Sequence, residues 1–367
     1  MHCGRRRGIA HDASLRSAAL SANILSMPKK GGGTSSLLVA AAVLGQLAAC
    51  GGPVARSSNT HTASSIAPFA VPRLGTTTTQ VTSATGLVLD QRIEPALPMP
   101  IEESAAGVAG GHLVVAGGLD GTGHDRADVW VLSGATWSSG PPLPQPVDHP
   151  AAATIGGTMY VAGGFSFGAP RAGVVAWNGD GTWVSVPPLP QPRGALALLS
   201  SGHMLIAAGG RGRGGEVAAV EGWTPGDSSW HELGMLPQPR DHLAGFMRGG
   251  VACFAGGRTP TTARVDCVDP VSRVWTQVPA LPDATSGAGA GTLDGVPVVG
   301  GGEMASERGA MTSELWWLTG RSWGSVPMLL PRHGWEGAVA GGRLWACGGG
   351  VAPGLHPTAT CTSVGPS

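Results

Sequence analysis

A sequence period of about 46 residues runs through most of this chain. Leucine-proline segments recur with their leucines at steps of 46, 46, 47, 45 and 49 residues between Leu97 and Leu330. A diglycine closes an apolar run at steps of 46, 46, 47, 45 and 47 residues between Gly118 and Gly349. A fixed period of about 40 to 50 residues is typical of solenoids and propellers, because one such repeat cannot bury its apolar face without a neighbour.

Residues 150–192 indicate what one repeat encodes. Two short apolar runs flank Gly156 and Gly157, a dipeptide that supplies the positive φ of a tight hairpin turn. A polar loop, the run AGVVAWN, a turn at NGDG and the run TWVSVP follow. This pattern predicts four antiparallel strands, a to d, and then a stiff proline linker to the next repeat. Five repeats place a tryptophan six or seven residues before the linker leucine: Trp137, Trp183, Trp230, Trp275 and Trp323.

The repeat resembles the kelch motif in three features. These are the diglycine after strand b, the tryptophan near the start of strand d and the LP-x-P linker. The resemblance covers about residues 84–367 and implies a β-propeller. We predict an all-β fold, a six-bladed β-propeller of kelch repeats with four antiparallel strands per blade.

The number of blades depends on how the two ends of the repeat array meet. Strands a, b and c occur six times, but no strand d follows the last set, which ends in TATCTSV. The upstream segment GLVLDQRIEPALPMP aligns with a strand d and its linker, with Gln91 in the place of the tryptophan. We predict that this N-terminal strand completes the sixth blade and leaves no sheet edge unpaired.

The segment before the repeats indicates export. Two lysines precede an apolar run from Leu37 to Ala49, which is too short to span a bilayer and is typical of a signal peptide. The run ends in Leu-Ala-Ala-Cys at Cys50 and resembles the lipobox of bacterial lipoproteins, a family in which this cysteine is lipidated after cleavage. The alternative is a buried apolar strand that happens to end in a cysteine.

The chain therefore divides into four predicted parts. Translation from Met27 gives a compact signal peptide at residues 27–49, so residues 1–26 are expected to lie upstream of the true start. Residues 50–83 form a Ser/Thr-rich tether, and residues 84–367 form the propeller. Gly51 is not the aspartate that usually retains such lipoproteins in the inner membrane. We therefore expect an outer-membrane lipoprotein of the bacterial cell envelope, on either face of that membrane.

Four of the six cysteines form two pairs with equal spacing. Cys253 and Cys267 are 14 residues apart, as are Cys347 and Cys361, and each pair places one cysteine on strand b and one on strand c. Adjacent strands bring such residues within reach of a disulfide, which an oxidising compartment would preserve. The alternative is four buried free thiols. A zinc site is not expected, because CxxC and HxxxH spacings are lacking, and we predict no cofactor and no metal.

The charge distribution argues against nucleic-acid binding. Residues 51–367 carry 17 arginines against 22 aspartates and glutamates, so this part of the chain has a net charge of 17 − 22 = −5. A protein that neutralises many phosphates needs a basic patch, and none is visible. We expect a monomer whose partner is a protein or a glycan and which contacts the membrane only through its lipid.

Strand directions place the linkers and the b–c loops on one face of the predicted ring, which we call the linker face. Similar kelch domains bind ligands at this position, which implies a cradle for an anion or acidic ligand. The structural alternative is that these side chains bond neighbouring carbonyls and aspartates and hold the linkers in shape. The candidate ligand-binding residues are Arg193, Arg240, Arg332, His149, His242, His333, Glu303 and Glu307.

Two functions are compatible with this arrangement. We expect a binding or protein-interaction module, and the alternative is a carbohydrate-acting enzyme. That enzyme would be lyase-like or similar to the periplasmic sialic acid mutarotases, which are six-bladed kelch proteins, with Arg332, His333 and Glu336 beside Glu303. The copper chemistry of galactose oxidase is excluded, because it needs two tyrosine ligands and Tyr160 stands alone. An enzyme should have a deep polar cavity with a strongly perturbed carboxylate or histidine, whereas a binder should present a broad face without one.

Overall fold

The computed structural model describes residues 79–82, 88–304 and 310–366, and the regular elements in these ranges are all β-strands. They form six antiparallel sheets arranged as the blades of a propeller, which confirms the predicted fold class. The described ranges contain no helix long and apolar enough to cross a bilayer. The predicted signal peptide, the predicted lipidation site at Cys50 and residues 50–78 of the predicted tether lie outside the described residues.

Each blade runs from strand a at the central channel outward to strand d. The strands of blade 1 are Ala105–Ala109, His112–Ala116, Val129–Ser133 and Thr136–Ser139. Those of blade 2 are Ala151–Ile155, Thr158–Ala162, Val174–Trp177 and Val184–Val186. Those of blade 3 are Ala197–Ser200, Leu205–Ala208, Ala219–Trp223 and His231–Met235.

The other three blades repeat this plan, and short strands occur in some of the b–c loops and in one linker. The strands of blade 4 are Ala244–Arg248, Val251–Ala255, Val265–Val268 and Trp275–Gln277. Those of blade 5 are Gly289–Leu293, Val296–Gly300, Glu314–Thr319 and Ser322–Pro327. Those of blade 6 are Gly337–Ala340, Arg343–Cys347, Cys361–Pro366 and Val88–Glu94. The short pairs are Phe165–Ser166 with Ala169–Pro170, Arg211–Gly212 with Gly215–Glu216, and Thr285–Ser286 with Glu303–Met304.

Blade 6 takes its outer strand from the opposite end of the repeat array, as predicted. Val88–Glu94 pairs antiparallel with Cys361–Pro366, with Glu94 opposite Cys361. A fifth strand, Thr79–Thr82, pairs with Val88–Glu94. It lies in the segment that sequence reasoning assigned to the tether, and its sequence TQVT is rich in β-branched residues that favour strands.

The strand d tryptophans connect neighbouring blades through their indole N–H groups. Four of these indoles donate at 2.8–2.9 Å to the carbonyl oxygen of a proline near the end of strand d in the preceding blade. They belong to Trp137, Trp183, Trp230 and Trp323. In blade 6 the Gln91 Nε2 donates to the Pro327 carbonyl at 2.8 Å, and its Oε1 accepts from the Leu329 N–H at 2.9 Å. The glutamine amide therefore replaces the indole donor at the junction where the ring closes.

The diglycine after strand b is a contact between blades. In blade 5 the Gly302 N–H donates to the Arg332 carbonyl oxygen at 2.9 Å, and a Cβ on Gly301 would lie 2.1 Å from the same oxygen. A larger residue therefore does not fit, and both glycines have positive φ. The same bond to the following linker occurs in every blade, with donors Gly118, Gly164, Gly210, Gly257, Gly302 and Gly349.

Side-chain size increases with distance from the channel. Strand a needs small residues, since a Cβ on Gly337 would lie 2.0 Å from the Ala290 carbonyl oxygen. Larger residues such as Met159, Leu205 and Phe254 are fully buried farther out, in the apolar clusters between blades. Close packing of a wedge-shaped space requires this gradient.

Two disulfides link strands b and c, which confirms the pairing predicted from the cysteine spacing. Cys253 bonds Cys267 in blade 4 and Cys347 bonds Cys361 in blade 6, each with Cα atoms 4.0 Å apart. The residues of each pair lie directly opposite each other in the sheet. The alternative of four free thiols is excluded, and the bridges are consistent with an extracellular or periplasmic protein.

A chain that starts at residue 95 should lose much of its stability, because it lacks the outer strand of blade 6. It would expose the edge of Cys361–Pro366 and lose the buried Leu89 and both Gln91 hydrogen bonds. We expect the midpoint of thermal unfolding to fall by roughly 10 °C or more, with association through the free edge. The matched control starts at residue 88 and loses only the fifth strand. Equal midpoints and monomeric behaviour of both chains would contradict closure by this strand.

Candidate functional site

The central channel contains a cavity of about 400 Å³. Strands a of all six blades form its walls, and the residues that precede them form its mouth on the linker face. This volume lies within the range of small-molecule sites. Among the described residues that line it, the ionisable ones are Glu103, His149, His242 and Glu336.

One residue from each linker belongs to a closed ring around the mouth. All six have φ between 48° and 67°. The N–H of each donates at 2.8–2.9 Å to the carbonyl oxygen of the ring residue before it, and the bond from Glu103 to Gly334 closes the circle. We call this set the linker ring: Glu103, His149, Ala195, His242, Gly287 and Gly334.

Three positions of the linker ring hold ionisable residues where glycine would fit with less strain. Glu103, His149 and His242 have φ of 53°, 48° and 52°. The left-handed region costs a residue with a Cβ roughly 1 kcal/mol or more, and such strain is common at functional sites. The three side chains converge, since one metal-ligand-type atom from each lies within 4.8 Å of the others.

Each ring histidine is held by the aspartate that precedes it. His149 Nδ1 lies 2.5 Å from Asp148 Oδ1, and His242 Nδ1 lies 2.9 Å from Asp241 Oδ1. A carboxylate that accepts from Nδ1 selects the tautomer in which Nε2 is free to accept or to bind. His149 Nε2 lies 3.5 Å from Glu103 Oε2, and the two imidazole rings meet edge to face with centroids 5.0 Å apart.

Burial and neighbouring charges shift the pKa values of these groups. Burial alone would lower the pKa of His149, but Glu103 and Asp148 outweigh it and raise this pKa. Burial lowers the pKa of His242, and Asp241 opposes this only in part. Burial would raise the pKa of Glu103, but the nearby His149 and His242 lower it. The mouth therefore holds an anionic carboxylate between two imidazoles.

His333 and two further glutamates extend the cluster to one side. His333 Nδ1 lies 3.9 Å from Glu103 Oε1, and His333 Nε2 lies 4.0 Å from Glu303 Oε1. Glu102 is buried, and burial raises its pKa. The structure thus brings the predicted residues His149, His242, His333 and Glu303 together around Glu103.

Glu336 is a carboxyl group inside the cavity, two residues beyond Gly334 of the linker ring. Its Oε2 accepts from the Ala106 N–H at 2.9 Å, and its Oε1 accepts from the Ala152 N–H at 2.7 Å. Strand a is the last strand of its sheet on this side, so these donors have no strand partner there. Burial raises the pKa of Glu336 to about 8, although the two N–H groups oppose the shift. The carboxyl group is therefore largely protonated at neutral pH and can act as an acid.

The three predicted arginines do not line the cavity. Arg193, Arg240 and Arg332 are each 0% exposed. Arg193 pairs with Glu221, and Arg240 Nη2 lies 3.0 Å from Asp266 Oδ2. Arg332 donates to three backbone carbonyl oxygens at 2.6–3.0 Å, and burial lowers its pKa to about 9. Complete burial with internal partners corresponds to the alternative in which these side chains hold the linkers in shape. The three arginines are not among the residues that line the cavity, so they do not form an anion cradle there.

Glu103 is the site residue that sequence reasoning missed, and Glu307 lies outside the described residues. The linker sequences contain a signal from which Glu103 could have been identified. The ring residue follows the linker leucine by six positions in five linkers and by four in the last. Alignment at these leucines places Glu103 in register with His149 and His242.

Comparisons with known proteins agree with this architecture. The family model described as "Kelch motif" matches residues 103–144. A search of curated proteins finds no match. The solved structure titled "Structure of YjhT" is similar, with a TM-score of 0.62 and 15% sequence identity over 73% of this chain and 95% of that chain, a likeness that shows the fold alone. The motif match and the six four-stranded blades together identify the chain as a kelch-repeat β-propeller.

Proposed function

We propose that this propeller is an enzyme that acts on a neutral sugar in the channel cavity, with Glu336 as its proton donor. One observation carries the proposal: a carboxyl group with a pKa raised to about 8 lies inside a cavity of about 400 Å³. A strongly perturbed carboxyl group inside a cavity distinguishes an enzyme from a binder with a broad face. The enzyme alternative is therefore favoured over the interaction module.

The charges of the cavity favour a neutral sugar over an acidic one. The ionisable groups among its described lining residues are two glutamates and two histidines, with neither lysine nor arginine. An acidic sugar such as sialic acid would bring its carboxylate close to Glu103 and Glu336 without a guanidinium to pair with it. A neutral sugar instead offers hydroxyl groups that donate to carboxylates and accept from imidazole N–H groups.

Interconversion of anomers is a reaction that these groups can support. Glu336 donates its proton to the ring oxygen as the bond from that oxygen to the anomeric carbon breaks, and the anomeric hydroxyl releases its proton to water. The open-chain aldehyde then closes on its other face. The sugar hydroxyl that attacks returns its proton to Glu336, and the carbonyl oxygen takes a proton from water to become the new anomeric hydroxyl. Glu103 at the mouth accepts a hydrogen bond from a sugar hydroxyl and orients the ring.

The variant Glu336→Gln should slow anomer exchange by roughly 10²- to 10⁴-fold, because an amide cannot supply the proton. The wild-type rate should be level below pH 8 and fall as the pH rises above it, since the pKa of Glu336 is raised to about 8 and only the protonated form is active. Polarimetry with glucose, galactose and N-acetylglucosamine measures the rate, with sialic acid as the acidic comparison.

Glu232→Gln is the matched control, because Glu232 is exposed on strand d of blade 3. It should leave the rate and its pH profile unchanged. If the Glu336→Gln variant keeps the wild-type rate and the same pH profile, the role of Glu336 as proton donor is contradicted. Sugar binding in calorimetry without any acceleration of exchange would instead favour the binding module, with a protein or glycan as its ligand.

We further propose that the chain is a lipoprotein of the bacterial cell envelope, anchored through Cys50. Its support is the Leu-Ala-Ala-Cys sequence after an apolar run and the two disulfides, which persist in oxidising compartments. Expression in bacteria fed a clickable palmitate analogue should label the wild-type chain in the membrane fraction. Cys50→Ala should remove the label, and equal labelling of both chains would contradict the anchor.

A further inference from the structure

We infer that Glu103, His149 and His242 form a binding site for a divalent transition-metal ion, Zn²⁺ by its ligand chemistry, at the mouth of the channel. One ligand-type atom from each residue lies within 4.8 Å of the others. Two histidines and one glutamate form a ligand set of catalytic zinc sites, in which water or substrate takes the fourth position. Metal binding does not require the proton transfer proposed for Glu336, although Glu103 takes part in both proposals.

One distance in the cluster already matches a zinc site. His149 Nε2 lies 3.5 Å from Glu103 Oε2. Nitrogen and oxygen ligands of one tetrahedral zinc ion, each bound at 2.0–2.2 Å, are about 3.4 Å apart. All three atoms lie within 4.8 Å of one another, so the other distances need to shorten by at most about 1.4 Å, which side-chain rotation can supply.

The two histidines have the outer partners that metal-bound histidines have. Asp148 and Asp241 accept from the Nδ1 atoms of His149 and His242, which leaves Nε2 as the free ligand atom of each ring. Carboxylate–histidine pairs of this kind orient the imidazole and raise its basicity in zinc proteins. Asp241 is itself held by Arg258, whose Nε lies 3.0 Å from Asp241 Oδ1.

Charge also favours a cation at this point. Glu103 belongs to the cluster, Asp148 and Asp241 each contact one of its histidines, and Arg258 pairs with Asp241. A divalent ion would balance the remaining carboxylates.

The linker ring fixes the ligands and leaves room beside them. The backbones of all three ligands are tied by the ring of N–H to carbonyl bonds. The other ring positions are Ala195, Gly287 and Gly334, which add little or no side chain to the mouth. The fourth coordination position can therefore face the cavity, where water or a sugar hydroxyl would bind.

Sequence spacing gave no hint of this site, because its ligands come from three different blades. The expectation of no metal rested on the lack of CxxC and HxxxH spacings. Such motifs describe ligands on one loop or helix. A propeller instead gathers single residues from distant linkers onto one axis.

Calorimetric titration of the untagged full chain, carrying Cys50→Ala to prevent lipidation, with ZnCl₂ tests the site. We expect one equivalent to bind, and Co²⁺ at the same site should give the visible absorption of a four-coordinate ion. His149→Ala and His242→Ala should each weaken binding by roughly 100-fold or more, and Asp148→Asn by about 10- to 100-fold. Ala195 shows that alanine is compatible with this ring position, since it has φ of 53°.

His203→Ala is the control, because His203 is exposed in the a–b turn of blade 3. It should bind zinc like the parent chain. Absence of a stoichiometric site, or equal affinity of the His242→Ala and His203→Ala chains, would overturn the inference. If an alanine variant lacks the cooperative thermal transition of the parent, Glu103→Gln replaces it, and unchanged zinc affinity in that variant would likewise overturn the site. None of these measurements uses a sugar, so they are separate from the test of Glu336.

Discussion

Six backbone hydrogen bonds that run from linker to linker around the mouth hold this propeller together at its centre. Each ring residue gives its N–H to the one before it, and the bond from Glu103 to Gly334 joins the first linker to the last. A second set of six bonds, from the diglycines to the following linkers, fixes the same segments from the other side. Strand a of each blade begins just after a ring residue. These bonds therefore determine the positions of the strands that form the channel walls.

The backbone conformation of the linker ring explains why chemistry is concentrated there. A left-handed residue costs roughly 1 kcal/mol or more, and a hydrogen bond contributes about 1 kcal/mol, so the ring can hold a few residues with side chains. Glu103, His149 and His242 are ring residues of this kind, each with a side chain and a positive φ. The buried arginines brace the linkers from within the blades, as with Arg240 against Asp266. Rigid linkers of this kind keep the side chains at the mouth in fixed positions.

Much of the fold was predictable from sequence, because it follows from local repeats. The period of about 46 residues predicted the blades, and the lack of a strand d after the last repeat predicted closure by Val88–Glu94. The equal spacing of the two cysteine pairs predicted both disulfides. Gln91 was correctly aligned with the tryptophans, although its bond to Pro327 became visible only in three dimensions. The fifth strand at Thr79–Thr82 was missed, because it has no counterpart in the other repeats.

The site was less predictable, because burial and partners across blades determine it. Arg193, Arg240 and Arg332 had the charge of an anion site, but they are buried among carbonyls and carboxylates of their blades. Glu103 escaped notice because its linker carries neither an arginine nor a histidine, whereas four of the other five linkers carry at least one of them. The pKa of Glu336 depends on a cavity and on donors from blades 1 and 2, which sequence spacing does not reveal.

Amide hydrogen exchange at the six ring residues tests the central constraint most directly. If the ring is closed, the amides of Glu103, His149, Ala195, His242, Gly287 and Gly334 should all exchange slowly and at similar rates, although they lie in linkers at the mouth of a channel. Fast exchange at Glu103, with protection at the other five, would mean that the first and last linkers are not joined and would contradict this account.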